Sequence, residues 1–243
     1  MSKDYKKYVG KTVRIIFKDG SIYKGMLTNS IKCDSYILGN NTVNIVNIDN
    51  INEIPKYELN TQLIIQKNKD SIIKTFDEAT SFIRLIDKQE YDNSDLVSKI
   101  PLATNCAFAC ELYLKVLLLN RGFTADDVTC LNHNLKKLYI NLLEKDKNEI
   151  DKWIKVFVQE DVWDILDEIK NTFTDLRYNF IKEKVKDINM KKLLEFTFKI
   201  QNVASFEIVG YDVYRFPKGK PTKKDEDEYL DNFVRKNFMI NKN

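Results

Sequence analysis

The apolar residues of this chain change their spacing near Pro55, and that change limits the folds available to it. Residues 9–54 hold short runs rich in β-branched and aromatic residues, separated by turn sequences such as the Asp-Gly of residues 19–20. From about Leu63 the apolar residues recur every three or four positions, as in an amphipathic helix. The sequence therefore predicts an α+β chain with two parts, joined by a linker at residues 56–62.

The first part contains five predicted strands within about fifty residues. That is too little chain for a two-layer sandwich, but enough for a small barrel in which no strand edge is exposed. We therefore predict a five-stranded small β-barrel as the first domain, over residues 1–57.

The second part is predicted to be an antiparallel α-helical bundle over residues 63–212. Its apolar periodicity, which starts at about Leu63, indicates five helices. The first is long and has Ile72 and Ile86 on one face, the second runs from Pro101 to a stop at Gly122, and the others lie at 133–145, 148–173 and 189–209. Residues 213–243 are predicted to form a charged tail with a short helix.

Composition and charge favour a globular, soluble chain. Hydrophobic residues make up 43% and charged residues 31%, and the net charge of +3 is too small to indicate nucleic-acid binding by itself. The N-terminus lacks the apolar core of a signal peptide, and Glu111 and Lys115 interrupt the longest apolar run. We therefore expect a cytoplasmic protein with no membrane partner and with reduced thiols.

The cysteines allow two interpretations. Cys106, Cys110 and Cys130 combine with His133, the only histidine, in a spacing that matches no common zinc module. Because free cysteines pack as small hydrophobic residues, core packing is favoured over a metal site, and we predict no metal and no cofactor.

The helix at residues 105–122 is apolar on nearly every side, yet it carries Glu111 and Lys115. These residues stand four apart with the acid first, which is the favourable order for an ion pair on a helix. Two interpretations stay open. The pair is either a structural clamp, or part of a polar cleft within the bundle or across a dimer.

The first part resembles the Sm-like, or SH3-type, small barrels. The resemblance is carried by "YVGKTVRIIFKDGSIYKGMLT", with Gly25 and Leu27 at the family's G-x-L and Leu38 closing the third strand. It implies a closed barrel that docks on RNA or on a protein partner.

The helical part resembles the HEPN (higher eukaryotes and prokaryotes nucleotide-binding) superfamily over residues 65–210. The resemblance is carried by "CAFACELYLKVLLLNRG", "NHNLKKLY" and "FTDLRYNF". It implies a role in bacterial toxin–antitoxin pairs or antiviral defence, a homodimer formed through the helical domain, and a nucleotidyltransferase or antitoxin as partner.

Catalytic HEPN members are metal-independent ribonucleases with an Arg-x4-6-His motif, in which the arginine holds phosphate and the histidine performs acid–base chemistry. Here no histidine follows Arg177. The sequence therefore leaves catalysis open, and the candidate catalytic residues are Glu111, Lys115, His133, Arg177 and Tyr178.

Three functional hypotheses follow. The first is RNA binding, in which lysines and an arginine of the first domain contact phosphates: Lys11, Arg14, Lys18, Lys24 and Lys32. The second is a divergent ribonuclease that uses Arg177 with His133 or Glu111. The third is a non-catalytic interaction module, such as the partner of a nucleotidyltransferase.

Overall fold

The protein is α+β and mostly helical. The computed structural model describes residues 5–29, 35–38, 41–44, 47–54, 59–87, 96–178, 189–213, 220 and 222–224. A 3-10 turn at Lys6–Tyr8 precedes five strands: β1 (Thr12–Phe17), β2 (Ile22–Asn29), β3 (Ser35–Leu38), β4 (Asn41–Asn44) and β5 (Ile48–Glu53). The helices are α1 (Thr61–Asp87), α2 (Leu96–Leu119), α3 (Ala125–Cys130), α4 (Leu135–Ile140), α5 (Glu144–Phe157), α6 (Val162–Ile169), α7 (Thr172–Tyr178) and α8 (Met190–Ile208).

The strands form an open antiparallel sheet in the order β4-β3-β2-β1-β5. Strand β2 is shared by two three-stranded ladders, β5-β1-β2 and β2-β3-β4. Within the described strands no ladder joins β4 to β5, so the prediction of a closed five-stranded barrel is wrong. The number of strands and their alternation do not determine whether the first and last strands of a sheet pair.

The two faces of the β1–β2 hairpin have different neighbours. Val13, Ile15 and Leu27 point into a small core of the sheet itself and are fully buried. Arg14 and Lys24 are cross-strand partners, and they face helix α3 instead. The helices therefore cover part of this sheet, which stays open at β4 and β5.

Helix α2 is the central helix of the second part and packs against α1, α8, α7 and α4. Its segment Ile100–Leu119 is long and apolar enough to cross a membrane, in spite of Glu111 and Lys115, but 78% of it is buried inside the protein. A helix that is apolar on all sides is buried, either in a protein core or in a membrane, and here other helices of the same chain enclose most of it.

Two predicted helices are shorter than expected. The helix predicted at 133–145 ends at Ile140, and α5 begins at Glu144. The helix predicted at 148–173 is divided among α5, α6 and α7, because Gln159 takes a positive φ of 61° and the Asp161 side chain caps α6. The predicted tail helix lies mostly outside the described residues.

The sheet is joined to the helices by buried polar contacts. Asp127 of α3 is fully buried, and it binds Arg14 Nη1 at 3.0 Å and also Lys24. Asn141, after α4, donates to the carbonyl of Gly20 and accepts from the backbone N–H of Ile22 at 2.7 Å. These contacts hold α3 and α4 against the hairpin. They therefore also fix the position of the short loop between the two helices.

The hairpin turn also approaches α4 closely. Gly20 has a φ of +93°, and a Cβ at this position would lie 2.7 Å from Cγ of Lys137. Glycine is needed here both for the backbone conformation and for the close contact.

Candidate active site

A fully buried carboxylate lies at the centre of the candidate site. Glu111 has no exposed side-chain surface, and Lys115 donates to its Oε1 at 2.5 Å. His133 Nδ1 lies 3.0 Å from each carboxylate oxygen. The charged pair inside the apolar helix is therefore completed by a third residue, an imidazole, from 22 positions further along the chain.

Local structure places His133 beside this carboxylate. The loop between α3 and α4 turns at Asn132, whose φ is +54°, a conformation that asparagine tolerates better than most residues. Asn134 then caps α4 by accepting a hydrogen bond from the backbone N–H of Lys137. His133 lies between the two asparagines, and its side chain remains 42% exposed.

The contact with Glu111 determines which imidazole nitrogen can act as a base. A carboxylate only accepts hydrogen bonds, so Nδ1 of His133 must carry a proton when it bonds to Glu111. In the neutral imidazole, Nε2 then has the free lone pair. Catalytic histidines are oriented by carboxylates in this manner.

Arg177 and the imidazole of His133 both contact one aromatic ring, that of Phe173. The Phe173 ring is 5.1 Å from the His133 ring, and the guanidinium carbon of Arg177 is 5.8 Å from its centroid. Phe108 of α2 stacks on the same Phe173 ring at 5.0 Å. Arg177 is exposed and Phe173 is buried, so one buried ring connects the histidine to a cation at the protein surface.

The structure therefore brings together four of the five residues that the sequence singled out as catalytic candidates: Glu111, Lys115, His133 and Arg177. The fifth, Tyr178, ends α7, and its side chain lies outside the described part of the chain. An imidazole with a free ring nitrogen can remove a proton, and an exposed guanidinium can bind an anion.

Sequence reasoning missed the two phenylalanines that link these groups. Phe173 stands four residues before Arg177, and Phe108 stands three before Glu111. Residues at these spacings share a helix face, so the same periodicity that indicated the ion pair could have identified both rings.

The predicted phosphate contacts have different surroundings. The Arg14 and Lys24 side chains are only 12% and 15% exposed and are engaged with Asp127. Lys11 is exposed and pairs with Glu53 at 2.6 Å. Lys32 lies outside the described residues.

Lys18 lies at an open groove of about 520 Å³ at the end of the sheet. The groove is also lined by Phe17 and by Tyr23, whose rings meet edge to face at 5.6 Å. Tyr23 is 47% exposed, so this end of the sheet presents an aromatic surface beside a lysine.

The cysteine and histidine pattern does not converge on a metal. Cys106 and Cys110 are buried in α2, Cys130 is exposed, and Cys33 lies outside the described residues. Burial raises the pKa of Cys106 to about 12, so its thiol stays protonated. Among the residues that the structure describes, no group of three or more His, Cys, Asp or Glu residues could hold a metal ion.

Comparisons with known proteins found no relative. No protein-family model matches the chain, and neither a curated protein nor a solved structure matches it. The function must therefore be inferred from the geometry of the site and from the sequence patterns.

Proposed function

We propose that the protein is a ribonuclease that cleaves RNA with His133 as general base and Arg177 as phosphate ligand. The observation that carries this proposal is the hydrogen bond between the buried Glu111 carboxylate and His133 Nδ1. It leaves the other imidazole nitrogen available for proton transfer, on a side chain that is 42% exposed. Arg177 lies beside the same site, over the Phe173 ring.

The proposed reaction uses the substrate's own 2′-hydroxyl as nucleophile. Nε2 of His133 takes the proton of that hydroxyl, and the oxygen attacks the adjacent phosphorus. The bond from phosphorus to the 5′-oxygen breaks, and that oxygen leaves with a proton from water. The imidazolium then returns its proton to the hydroxide that remains. The products are a 2′,3′-cyclic phosphate and a 5′-hydroxyl.

Arg177 and Glu111 have different parts in this reaction. The guanidinium stabilises the negative charge that grows on the phosphate oxygens. Glu111 holds the imidazole in the orientation and tautomer that expose Nε2, and it stabilises the imidazolium that forms when the proton is taken.

The sequence patterns support the same class of activity. The resemblance to HEPN ribonucleases implies an arginine and a histidine that act together without a metal. In this chain the histidine precedes the arginine by 44 positions, and both residues contact the Phe173 ring. By the same resemblance we propose that the protein acts as a homodimer in a toxin–antitoxin or antiviral system. The cytoplasmic location that we propose rests on its hydropathy pattern instead.

RNA cleavage by variants tests this proposal. Purified wild-type protein is incubated with labelled single-stranded RNA, and its products are identified by mass spectrometry. We expect Arg177→Ala and His133→Ala each to lower the cleavage rate by about 100-fold or more. Arg84→Ala, which changes an exposed arginine of α1, is the matched control.

Two outcomes would contradict the proposal. Cleavage that is as fast in Arg177→Ala and His133→Ala as in the wild type would exclude this site. Wild-type protein that binds RNA without cleaving it, or that binds only a protein partner, would favour one of the two non-catalytic hypotheses.

A further inference from the structure

We propose that Lys115 is a positioning residue that keeps His133 unprotonated and therefore able to act as a base. This inference rests on the proposed function, because it gives Lys115 a part in the same reaction. It concerns the charge balance of the site, however, and can be measured without any activity.

The geometry makes Lys115 a direct competitor for the carboxylate that His133 uses. Lys115 Nζ and His133 Nδ1 both contact Oε1 of Glu111, at 2.5 and 3.0 Å. The carboxylate is fully enclosed, and the lysine side chain is 20% exposed. Water therefore screens the enclosed carboxylate only weakly from its two partners, although the imidazole itself is 42% exposed.

The charges of the neighbouring groups determine the preferred state of the imidazole. Beside a lone buried carboxylate, a histidine gains by becoming an imidazolium, since the opposite charge stabilises it. With Lys115 present, the carboxylate is already neutralised, so this gain is reduced. Arg177 of α7 contacts the Phe173 ring that the imidazole also contacts, and its positive charge acts in the same direction as that of Lys115.

The consequence concerns the starting state of the reaction. A general base must be unprotonated before it can take the 2′-hydroxyl proton. A site with Glu111 and without Lys115 would hold the histidine in its oriented but protonated form. We infer that Lys115 allows Glu111 to orient the imidazole without also charging it.

The test exploits the fact that His133 is the only histidine in the chain. Its two carbon-bound ring protons give the only histidine signals in the NMR spectrum of the whole protein, so their titration needs no site assignment. In Lys115→Met, we expect the midpoint of this titration to rise by about one pH unit or more. Lys115→Arg keeps the charge and should keep the wild-type midpoint, and Lys74→Met, at an exposed position of α1, is the surface control.

Glu111→Gln supplies the opposite change, because it removes the carboxylate and should lower the midpoint. Circular dichroism checks that each variant is folded, and Lys115→Gln replaces Lys115→Met if the latter does not fold. If neither variant raises the midpoint relative to Lys115→Arg, the inference is wrong.

The failure of this inference can be told apart from the failure of the proposed function. If the protein cleaves RNA, the acidic limb of the rate profile should move to higher pH in Lys115→Met, together with the NMR midpoint. If the NMR midpoint moves as expected but neither the wild type nor any variant cleaves RNA, the inference about Lys115 is correct and the ribonuclease proposal is wrong.

Discussion

Glu111 is the residue on which the candidate site most depends, because a fully buried carboxylate needs partners to be tolerated. Its two partners come from different places: Lys115 lies one turn along the same helix, and His133 arrives from the α3–α4 loop. Removing one partner from a buried ion pair costs about 3–5 kcal/mol. The site is thus part of the stability of the helical core as well as a reactive surface.

We predict that Glu111→Gln separates orientation from charge. The amide oxygen can still accept the Nδ1 proton of His133, but it no longer stabilises the imidazolium formed during proton transfer. We expect RNA cleavage to fall by about 100-fold, and the free energy of unfolding to fall by about 1–3 kcal/mol.

Cleavage rates and urea unfolding measure the two effects of Glu111→Gln. Glu78→Gln, at an exposed position of α1, is the matched control and should change neither quantity. Full cleavage activity in Glu111→Gln would show that the charge of this carboxylate has no part in the reaction.

The sequence predicted the members of this site better than their arrangement. The spacing of Glu111 and Lys115 indicated a pair, since residues four apart on a helix are neighbours. The contact of Glu111 with His133 depends on the positive φ of Asn132 and on the packing of α3, and no local pattern reports either of these. The prediction that Arg14 and Lys24 contact phosphates used strand alternation, which shows that the two residues share a face of the sheet. Alternation does not show that helix α3 covers this face.

At the scale of elements, the ion pairs buried between the sheet and α3 should contribute far more to stability than exposed ion pairs. Lys24 and Lys11 are both paired lysines near the start of the chain, but only Lys24 meets a partner with no exposed surface. We predict that Lys24→Met lowers the free energy of unfolding by about 3 kcal/mol, and that Lys11→Met lowers it by less than about 1 kcal/mol.

Urea unfolding of these two variants measures the difference. The comparison controls for the loss of a lysine charge on the sheet. Equal effects of the two substitutions would mean that Asp127 does not depend on Lys24.

The ionisation of Asp127 should make this junction sensitive to acid. Burial alone would raise the pKa of Asp127, but hydrogen bonds from Lys24, from the Thr124 backbone and from Arg14 outweigh burial and lower the pKa below its ordinary 3.8. A lowered pKa in the folded state gives stability that is present above the ordinary pKa and is lost as the pH falls through the folded value.

We therefore predict that the stability difference between wild type and Asp127→Asn is largest near neutral pH and shrinks below about pH 4. Urea unfolding of wild type and of Asp127→Asn at pH 6 and at pH 2.5 measures this difference in stability. Asp126→Asn changes the exposed neighbouring carboxylate and is the control. A difference that is constant over this range would show that the carboxylate does not titrate differently in the folded and unfolded protein.

The element predictions succeeded where one periodicity ran without interruption. The register of β1 and β2 follows from their Asp-Gly turn and their alternation, and α2 follows from its apolar run. The closure of the sheet and the division of residues 148–173 into three helices were not predictable in this way. The break between α5 and α6 depends on a single backbone position, Gln159. The closure of a sheet depends on contacts between segments that are distant in the sequence.

At the scale of the whole molecule, the sheet and the helices share both polar and apolar contacts. Ile22 of β2 belongs to the apolar core of the helical part, although most of the sheet has its own small core. The hydrogen bonds of Asn141 hold the same hairpin against α4. A sheet with so few buried residues of its own is expected to depend on its docking to the helices.

We predict that the two parts unfold in one cooperative transition. Amide hydrogen exchange of the whole chain in increasing urea reports this, with Val13 and Ile15 as probes of the sheet and Leu114 and Leu117 as probes of α2, all four fully buried. The two pairs of amides should lose protection at the same urea concentration.

In Lys24→Met both pairs should shift together to lower urea, because the weakened junction is shared, whereas in Lys11→Met neither pair should move. If the sheet amides lose protection well before those of α2, the sheet is a separate folding unit and its contacts with Asp127 and Asn141 contribute little to its stability.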